Sequence, residues 1–120
     1  LVLLLGKEVP SYKVLHSRGY DLPESIRKSY GKRLIDQLSR GLKDFLTQVR
    51  LDPSIRSLQV GLLLHFPLKQ NELNRAEILS WSDRFFCPDL LELDIIAEFQ
   101  RSIDQTIRTP DLSIVACIQD

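Results

Sequence analysis

The chain has 120 residues, of which 43% are hydrophobic and 27% charged, and these proportions suit one folded domain rather than a disordered segment. The formal net charge is zero, but residues 1–60 carry 11 Lys and Arg against 6 Asp and Glu, whereas residues 61–120 carry 5 against 10. The near-neutral pI of about 6.9 argues against a dedicated nucleic-acid-binding domain. The opposite charges of the two halves predict either internal charge pairing or a dipolar surface.

The sequence has none of the features of a membrane anchor or an export signal. No apolar run approaches the ~20 residues that a membrane-spanning helix needs, and the run 1–5 lacks the length and basic flank of a signal peptide. Two cysteines are too few for a disulfide framework, and Cys117 lies in an apolar run that favours a buried, reduced thiol. We therefore predict a cytoplasmic, reducing location and no membrane partner.

The first half of the chain predicts two strands followed by a long helix. The apolar run 1–5 and the weaker run 12–16 are short and not alternating, which is typical of strands covered on both faces. A helix is predicted over 23–50, because apolar residues there recur at 3.6-residue spacing. Gly31 and Gly41 weaken that helix, so we expect a bend or a close backbone contact at one of them.

The second half predicts two further strands and two helices. The runs 58–66 and 112–118 are rich in Leu, Val and Ile and are predicted as buried strands. Helices are predicted over 74–86, where Asn74 and Glu77 resemble a capping box, and over 89–108, which has a broad apolar face.

Strands that alternate with helices indicate an α/β fold, with a small three- to four-stranded, mainly parallel sheet joined by right-handed crossovers. The strands are 1–5, 12–16, 58–66 and 112–118, and the three helices are 23–50, 74–86 and 89–108. Because the chain starts at Leu1 and contains no Met, we predict that residues 1–120 form a single domain of a longer protein.

No segment matches a catalytic, metal-binding or cofactor-binding motif. The two histidines are far apart, and the sequence has no C-x-x-C, no H-E-x-x-H, no G-x-S-x-G and no glycine-rich phosphate loop. The sequence therefore predicts no catalytic residue, no metal ligand and no cofactor.

A weak ligand site is predicted where strands end. Ligands gather at the carboxyl ends of parallel strands in open α/β sheets, and His65 lies near the end of the strand 58–66. With it we group residues that could bind an anion: Gly6, Lys7, His16, Arg18 and His65. We expect these residues to converge on one edge of the sheet. The alternative for His65 is a histidine hydrogen-bonded at the margin of the core.

A basic surface is predicted on the first helix. At ~100° per residue, Lys32, Lys43 and Arg50 fall within about 20° of one another, with Arg33 and Arg40 beside them. Such cations could contact nucleic-acid phosphates, but a solvated helix face explains the pattern equally.

Without a catalytic signature, the sequence favours a non-catalytic regulatory or protein-interaction domain that binds a protein partner or itself. Two alternatives stay open. One is a Rossmann-like domain that binds an anionic small molecule or nucleotide at the carboxyl edge of the sheet. The other is a nucleic-acid contact through the basic first helix.

Overall fold

The computed structural model, which describes residues 2–8, 12–81, 84–108 and 110–119, contains both strands and helices. A short 3₁₀ turn, Pro88–Leu90, precedes the last helix. In chain order the other elements are β1 (Val2–Glu8), β2 (Tyr12–Gly19), α1 (Glu24–Arg27), α2 (Gly31–Gln48), β3 (Ser57–Leu64), β4 (Leu68–Glu72), β5 (Arg75–Ile78), α3 (Ile95–Thr106) and β6 (Asp111–Gln119). The predicted α/β class, with three helices and a small sheet, is confirmed.

The strands pair in a mixed rather than a mainly parallel way. β3 and β6 run parallel, whereas β1 pairs with β2 and β4 pairs with β5 in antiparallel hairpins. Connection length explains this correction: three residues separate β1 from β2, and a parallel crossover needs a dozen or more. The long connection between β3 and β6 includes α3, which packs against β6.

The β4–β5 hairpin is attached to β6 by three hydrogen bonds. The backbone N–H of Cys117 donates to the Leu73 carbonyl at 2.7 Å. The Gln70 amide donates to the Cys117 carbonyl at 2.9 Å, and the backbone N–H of Leu68 donates to the Gln119 side chain at 3.0 Å. The hairpin therefore continues the β3–β6 layer, although its strands are assigned to a separate sheet.

The predicted helix over 74–86 is wrong. Its first residues form the hairpin turn and β5, and the described residues after Ile78 have no regular structure as far as Cys87. Ala76 and Ile78 are both buried in an alternating pattern, and a period of two places the side chains of a strand on one face. Residues 82 and 83 lie outside the described part of the chain.

The other two predicted helices are interrupted. The segment 23–50 divides into α1 and α2, which are separated by 28–30, and α2 ends at Gln48. The expected close backbone contact occurs at Gly31, where an added Cβ would overlap the Leu90 side chain. In the segment 89–108 the helix begins only at Ile95, after the N-cap Asp94.

The core lies between α2, α3, β5 and β6, and each fully buried Leu, Ile or Phe contributes about 1.5–3 kcal/mol. Phe45, Ile78 and Ile103 are at most 2% exposed. Where the two long helices meet, the buried Ser39 hydroxyl donates to the Ser102 hydroxyl at 2.8 Å. Ser102 in turn donates to a carboxylate oxygen of Asp36 at 3.0 Å. The helices are thus joined by apolar packing and by one short polar chain.

Candidate functional site at the end of the parallel strands

The parallel pairing of β3 and β6 brings the carboxyl ends of both strands to one edge, where Leu64 pairs with Gln119. His65 and Phe66 follow directly after β3, so the chain leaves the sheet at this edge. The His65 residue is exposed, whereas Phe66 is buried. Ligands of open α/β sheets bind at such edges, which makes this the candidate site.

Three aromatic rings, those of Phe66, Trp81 and Phe85, form a wall just beyond the end of β3. The Phe66 ring contacts the Trp81 ring at 5.1 Å and the Phe85 ring at 5.2 Å, with interplanar angles of 70° and 77°. These are edge-to-face contacts, which the ring quadrupoles favour. The Trp81 indole nitrogen is buried and has no hydrogen-bond acceptor among the described residues. The wall is therefore largely apolar but holds one N–H donor without an acceptor there.

Arg27 fixes the outer part of this wall. Its guanidinium carbon lies 6.0 Å from the centroid of the Phe85 ring. The same guanidinium donates to the Leu22 carbonyl at 2.8 Å and to the Arg84 carbonyl at 2.7 Å. The segment that carries Phe85 is thereby attached to α1, which holds the rings in place although that segment has no regular structure.

This arrangement can bind an uncharged polar ligand. An exposed imidazole both donates and accepts hydrogen bonds in its neutral form, and an aromatic wall covers the apolar face of a ligand. No group of three or more His, Cys, Asp and Glu among the described residues could hold a metal ion. Both cysteines are free and buried, and burial raises the pKa of each thiol.

The residues predicted as an anion site do not all share one sheet. In the β1–β2 hairpin Gly6 pairs with Val14, and Lys7 pairs with Lys13. His16 and Arg18 follow on β2, whereas His65 lies at the end of β3. At ~3.4 Å per residue, Arg18 is about 17 Å along β2 from the position opposite Lys7. The expected convergence on one sheet edge is therefore not found, and a binding role for these residues stays a prediction.

Arg18 has contacts that suggest a local role. Its Nε donates to the Gln48 side chain at 3.4 Å. The next residue but one, Tyr20, donates its hydroxyl to Asp44 at 3.0 Å. Both contacts attach the end of β2 to the last turns of α2, and burial with the Asp44 hydrogen bond raises the Tyr20 pKa.

The predicted basic surface is only partly helical. Lys32, Arg33, Arg40 and Lys43 are all exposed on α2. Arg50 lies beyond the helix end and has a positive φ of 50°. The angular argument that placed it in line with Lys32 and Lys43 is therefore wrong, because it requires a continuous helix.

Trp81 and Phe85 were not predicted as site residues, because both were assigned to a helix over 74–86. The sequence offers no clear local signal against that helix, since short apolar segments are compatible with either a helix or a strand.

Comparison with known proteins identifies the family. A family model described as hexokinase matches residues 1–120. Hexokinase-1 from Mus musculus and from Homo sapiens are each 27% identical over 106 residues, which is 88% of this chain and 11% of the relative. Hexokinase-2 from Rattus norvegicus is 26% identical with the same coverage. The chain thus spans about 11% of the length of these curated relatives.

A solved structure has the same fold. The hexokinase from Schistosoma mansoni, in complex with glucose, superposes on 92% of this chain with a TM-score of 0.81. The sequence identity is 22%, and the superposition covers 24% of the schistosome chain.

These matches correct the predicted function. The non-catalytic regulatory or protein-interaction domain was inferred from missing motifs and from the charge asymmetry. The Rossmann-like domain was inferred from residues at strand ends, and the nucleic-acid contact from the basic first helix. The family match overturns them, because the hexokinase family model extends over residues 1–120. The chain belongs to the hexokinase family.

Proposed function

We propose that the protein to which this chain belongs transfers a phosphoryl group to a hexose, and that the edge formed by β3 and β6 contributes to the hexose site. The observation that carries the proposal is the hexokinase family match over residues 1–120. Because the chain spans only 11% of its curated relatives, the complete activity belongs to the longer protein. The domain boundary at 1–120 is part of the same proposal.

The geometry of the edge supports a sugar ligand. A hexose has several hydroxyl groups and a less polar face of C–H bonds. His65 can exchange hydrogen bonds with a hydroxyl, and the half-buried rings of Trp81 and Phe85 offer an apolar surface. An uncharged hexose fits such a site better than the anionic ligand that the sequence suggested.

The contribution to phosphoryl transfer is positioning. Enzymes of this class gain rate by holding the attacking hydroxyl in line with the phosphoryl group and by surrounding the developing charge. In this chain His65 would orient the sugar, while the aromatic wall keeps water from one side of it. The described residues of this edge supply no step beyond binding and orientation.

Sugar binding tests the proposal directly. We expect D-glucose to shift the amide resonances of residues near His65 in ¹⁵N-labelled chain, with a Kd on the order of 1 mM, a typical weak affinity. L-glucose is the matched control, because it has identical composition and opposite chirality. Equal shifts with both enantiomers would contradict a hexose site.

Two exposed histidines allow a matched pair of variants. We expect His65→Ala to weaken D-glucose binding at least about tenfold, the effect of ~1.4 kcal/mol, and His16→Ala to leave it unchanged. The reverse result would favour the hairpin residues predicted from the sequence. Phosphoryl transfer is then measured in the longer protein as ADP released from ATP in the presence of D-glucose.

The remaining predictions concern the location and the partners of the protein rather than its chemistry. No helix among the described residues is long and apolar enough to cross a membrane. A reducing, cytoplasmic location and a protein partner remain predictions, which fractionation and light scattering of the longer protein would test.

A further inference from the structure

A second concave site lies away from the edge of the parallel strands. An open cavity of about 480 Å³ lies between the α1–α2 junction and the segment that leads into the 3₁₀ turn. Its lining shares no residue with the wall of Phe66, Trp81 and Phe85. The residues used in the argument below are Lys28, Ser29, Tyr30, Arg33, Phe86 and Pro88.

Hydrogen bonds donated by backbone N–H groups hold the two sides of this cavity together. The backbone N–H of Phe86 donates to the Arg27 carbonyl at 2.8 Å. The Asp89 carboxylate accepts from the backbone N–H of Gly31, at 2.8 and 2.9 Å to its two oxygens. The cavity is therefore a preformed feature of the fold, and the backbone N–H of Gly31 at the start of α2 already donates to the Asp89 carboxylate.

Aromatic side chains on both sides of the cavity are exposed. Tyr30 is 73% exposed and Phe86 is 57% exposed, and Pro88 also lines the cavity. Covering such rings with an apolar body releases water at about 25 cal/mol for each Å² buried. The walls thus favour a flat, apolar ligand over a fully hydrated one.

Cationic and polar groups border the same walls. Arg33 is exposed and has no carboxylate partner among the described residues, since Asp89 is used by Gly31. Among the described residues Lys28 pairs with Glu24, at 3.6 Å on the surface, where such a pair contributes little. The Ser29 hydroxyl is buried and has no hydrogen-bond partner in the described structure. These groups together favour an anionic end on the ligand.

We propose that this cavity binds a small organic anion with a planar apolar body, of the aryl carboxylate class. The ring would lie between Tyr30 and Phe86, with the carboxylate at Arg33 and Lys28. A free phosphate would leave the aromatic walls uncovered, and a neutral hydrocarbon would leave the cation and the Ser29 hydroxyl without a partner. The site is independent of the hexose site, so each proposal can fail alone.

Three probes separate the apolar and anionic contributions in a ¹⁵N-resolved titration of the chain. The probes are 1-naphthoate, 1-naphthalenemethanol and acetate. We expect 1-naphthoate to shift the amides of Ser29, Tyr30 and Phe86 with a Kd on the order of 1 mM or tighter. The alcohol and acetate should each bind at least about tenfold more weakly, because each lacks one of the two contributions.

Variants of exposed residues locate the site without disturbing the core. Arg33→Ala and Phe86→Ala should each weaken 1-naphthoate binding at least about fivefold, whereas Lys43→Ala, at an exposed position elsewhere on α2, should not. Circular dichroism confirms that each variant is folded. Equal affinity for naphthoate and the alcohol, amide shifts confined to another region, or an unchanged Kd for Arg33→Ala would each overturn the proposal.

Discussion

At the start of each long helix a carboxylate accepts a hydrogen bond from a backbone N–H, but the two carboxylates come from different places in the sequence. At the start of α3, the Asp94 carboxylate accepts from the backbone N–H of Ile96 at 3.1 Å, two residues along the chain. At the start of α2, the N-cap residue Tyr30 makes no side-chain cap, and the carboxylate comes from Asp89, 58 residues away. The first start is encoded locally, whereas the second exists only when the chain has folded.

The surroundings of the two starts differ accordingly. Gly31 approaches the Leu90 side chain so closely that an added Cβ would overlap it. Asp94 also accepts from the backbone N–H of Ala76 at 3.1 Å, which joins β5 to α3. The local cap of α3 thus also makes a tertiary contact, whereas α2 has no local cap and depends on a tertiary contact.

The largest expected effect comes from filling the space at Gly31. We expect Gly31→Ala to lower the free energy of unfolding by about 3 kcal/mol, because overpacking against Leu90 must displace the 3₁₀ turn or α2. The measurement is urea unfolding followed by circular dichroism. Gly61→Ala is the matched control: a Cβ at Gly61 would meet no atom within 4 Å, so its stability should change by less than about 1 kcal/mol. Similar losses for both variants would show that the close contact is not the cause.

Removing each carboxylate compares the two starts directly. Asp94→Ala should cost about 2 kcal/mol and Asp89→Ala about 1 kcal/mol, because Asp94 holds two backbone N–H groups and Asp89 holds one. Hydrogen exchange should report faster opening at Ile96 and Ala76 in the first variant and at Gly31 in the second. The Asp→Asn variants keep an acceptor and should recover part of the loss. Equal exchange at both starts in either variant would contradict this assignment.

The polar chain between α2 and α3 should have a smaller effect. Ser102→Ala removes the acceptor of Ser39 and the donor to Asp36, and we expect a loss of about 1 kcal/mol in urea unfolding. The double variant Ser39→Ala with Ser102→Ala should cost less than the sum of the single variants, since no buried hydroxyl is left without a partner. Strict additivity would indicate that the two serines do not act together.

The smallest effect concerns pH, and each cysteine lies near one of the two capping carboxylates. Burial raises the pKa of the Cys87 thiol, a backbone hydrogen bond with Ser29 opposes this, and the negative charge of Asp89 adds a smaller upward contribution. Burial and then the charge of Asp94 raise the pKa of Cys117. A folded pKa above the unfolded value of about 9 means that stability is fully present below that pH. It is lost as the pH rises, because the unfolded state releases its protons first.

We therefore expect the free energy of unfolding in reducing buffer to fall between about pH 8 and pH 10. Asp89→Asn should lower the pKa of Cys87 alone, and Asp94→Asn that of Cys117 alone. Thiol alkylation followed by mass spectrometry, as a function of pH, distinguishes the two sites. A stability that rises over this range would contradict the raised pKa values.

Prediction from the sequence succeeded where the signal is local and continuous. The strands at 58–66 and 112–118 were found because short apolar runs are typical of strands. Their expected burial on both faces is wrong, because exposed residues alternate with more buried ones along both strands. The helix over 74–86 was wrong because Ala76 and Ile78 pair with neighbours that are distant in the chain. Short apolar segments are compatible with both the helical period and the strand period, and tertiary contacts determine which structure forms.

The functional site was harder to predict than the fold. His65 was recognised because it follows a strand, but Trp81 and Phe85, which contact the adjacent Phe66, come from a segment without regular structure. The family itself was not recognised, since the chain contains none of the short catalytic motifs with a fixed spacing. Absence of a motif was read as absence of catalysis, and the family match corrects that inference.

The sequence by itself determined the α/β class and the positions of the strands at 58–66 and 112–118, because apolar runs and periodicity can be read residue by residue. Only the tertiary structure decided that β1 and β2 form a hairpin, that Asp89 caps α2 and that Trp81 stands beside Phe66. Each of these contacts joins groups whose pairing depends on backbone geometry or on residues far apart in the chain. These contacts stabilise the fold only once the packed core has offset the conformational entropy that is lost when the intervening chain becomes ordered.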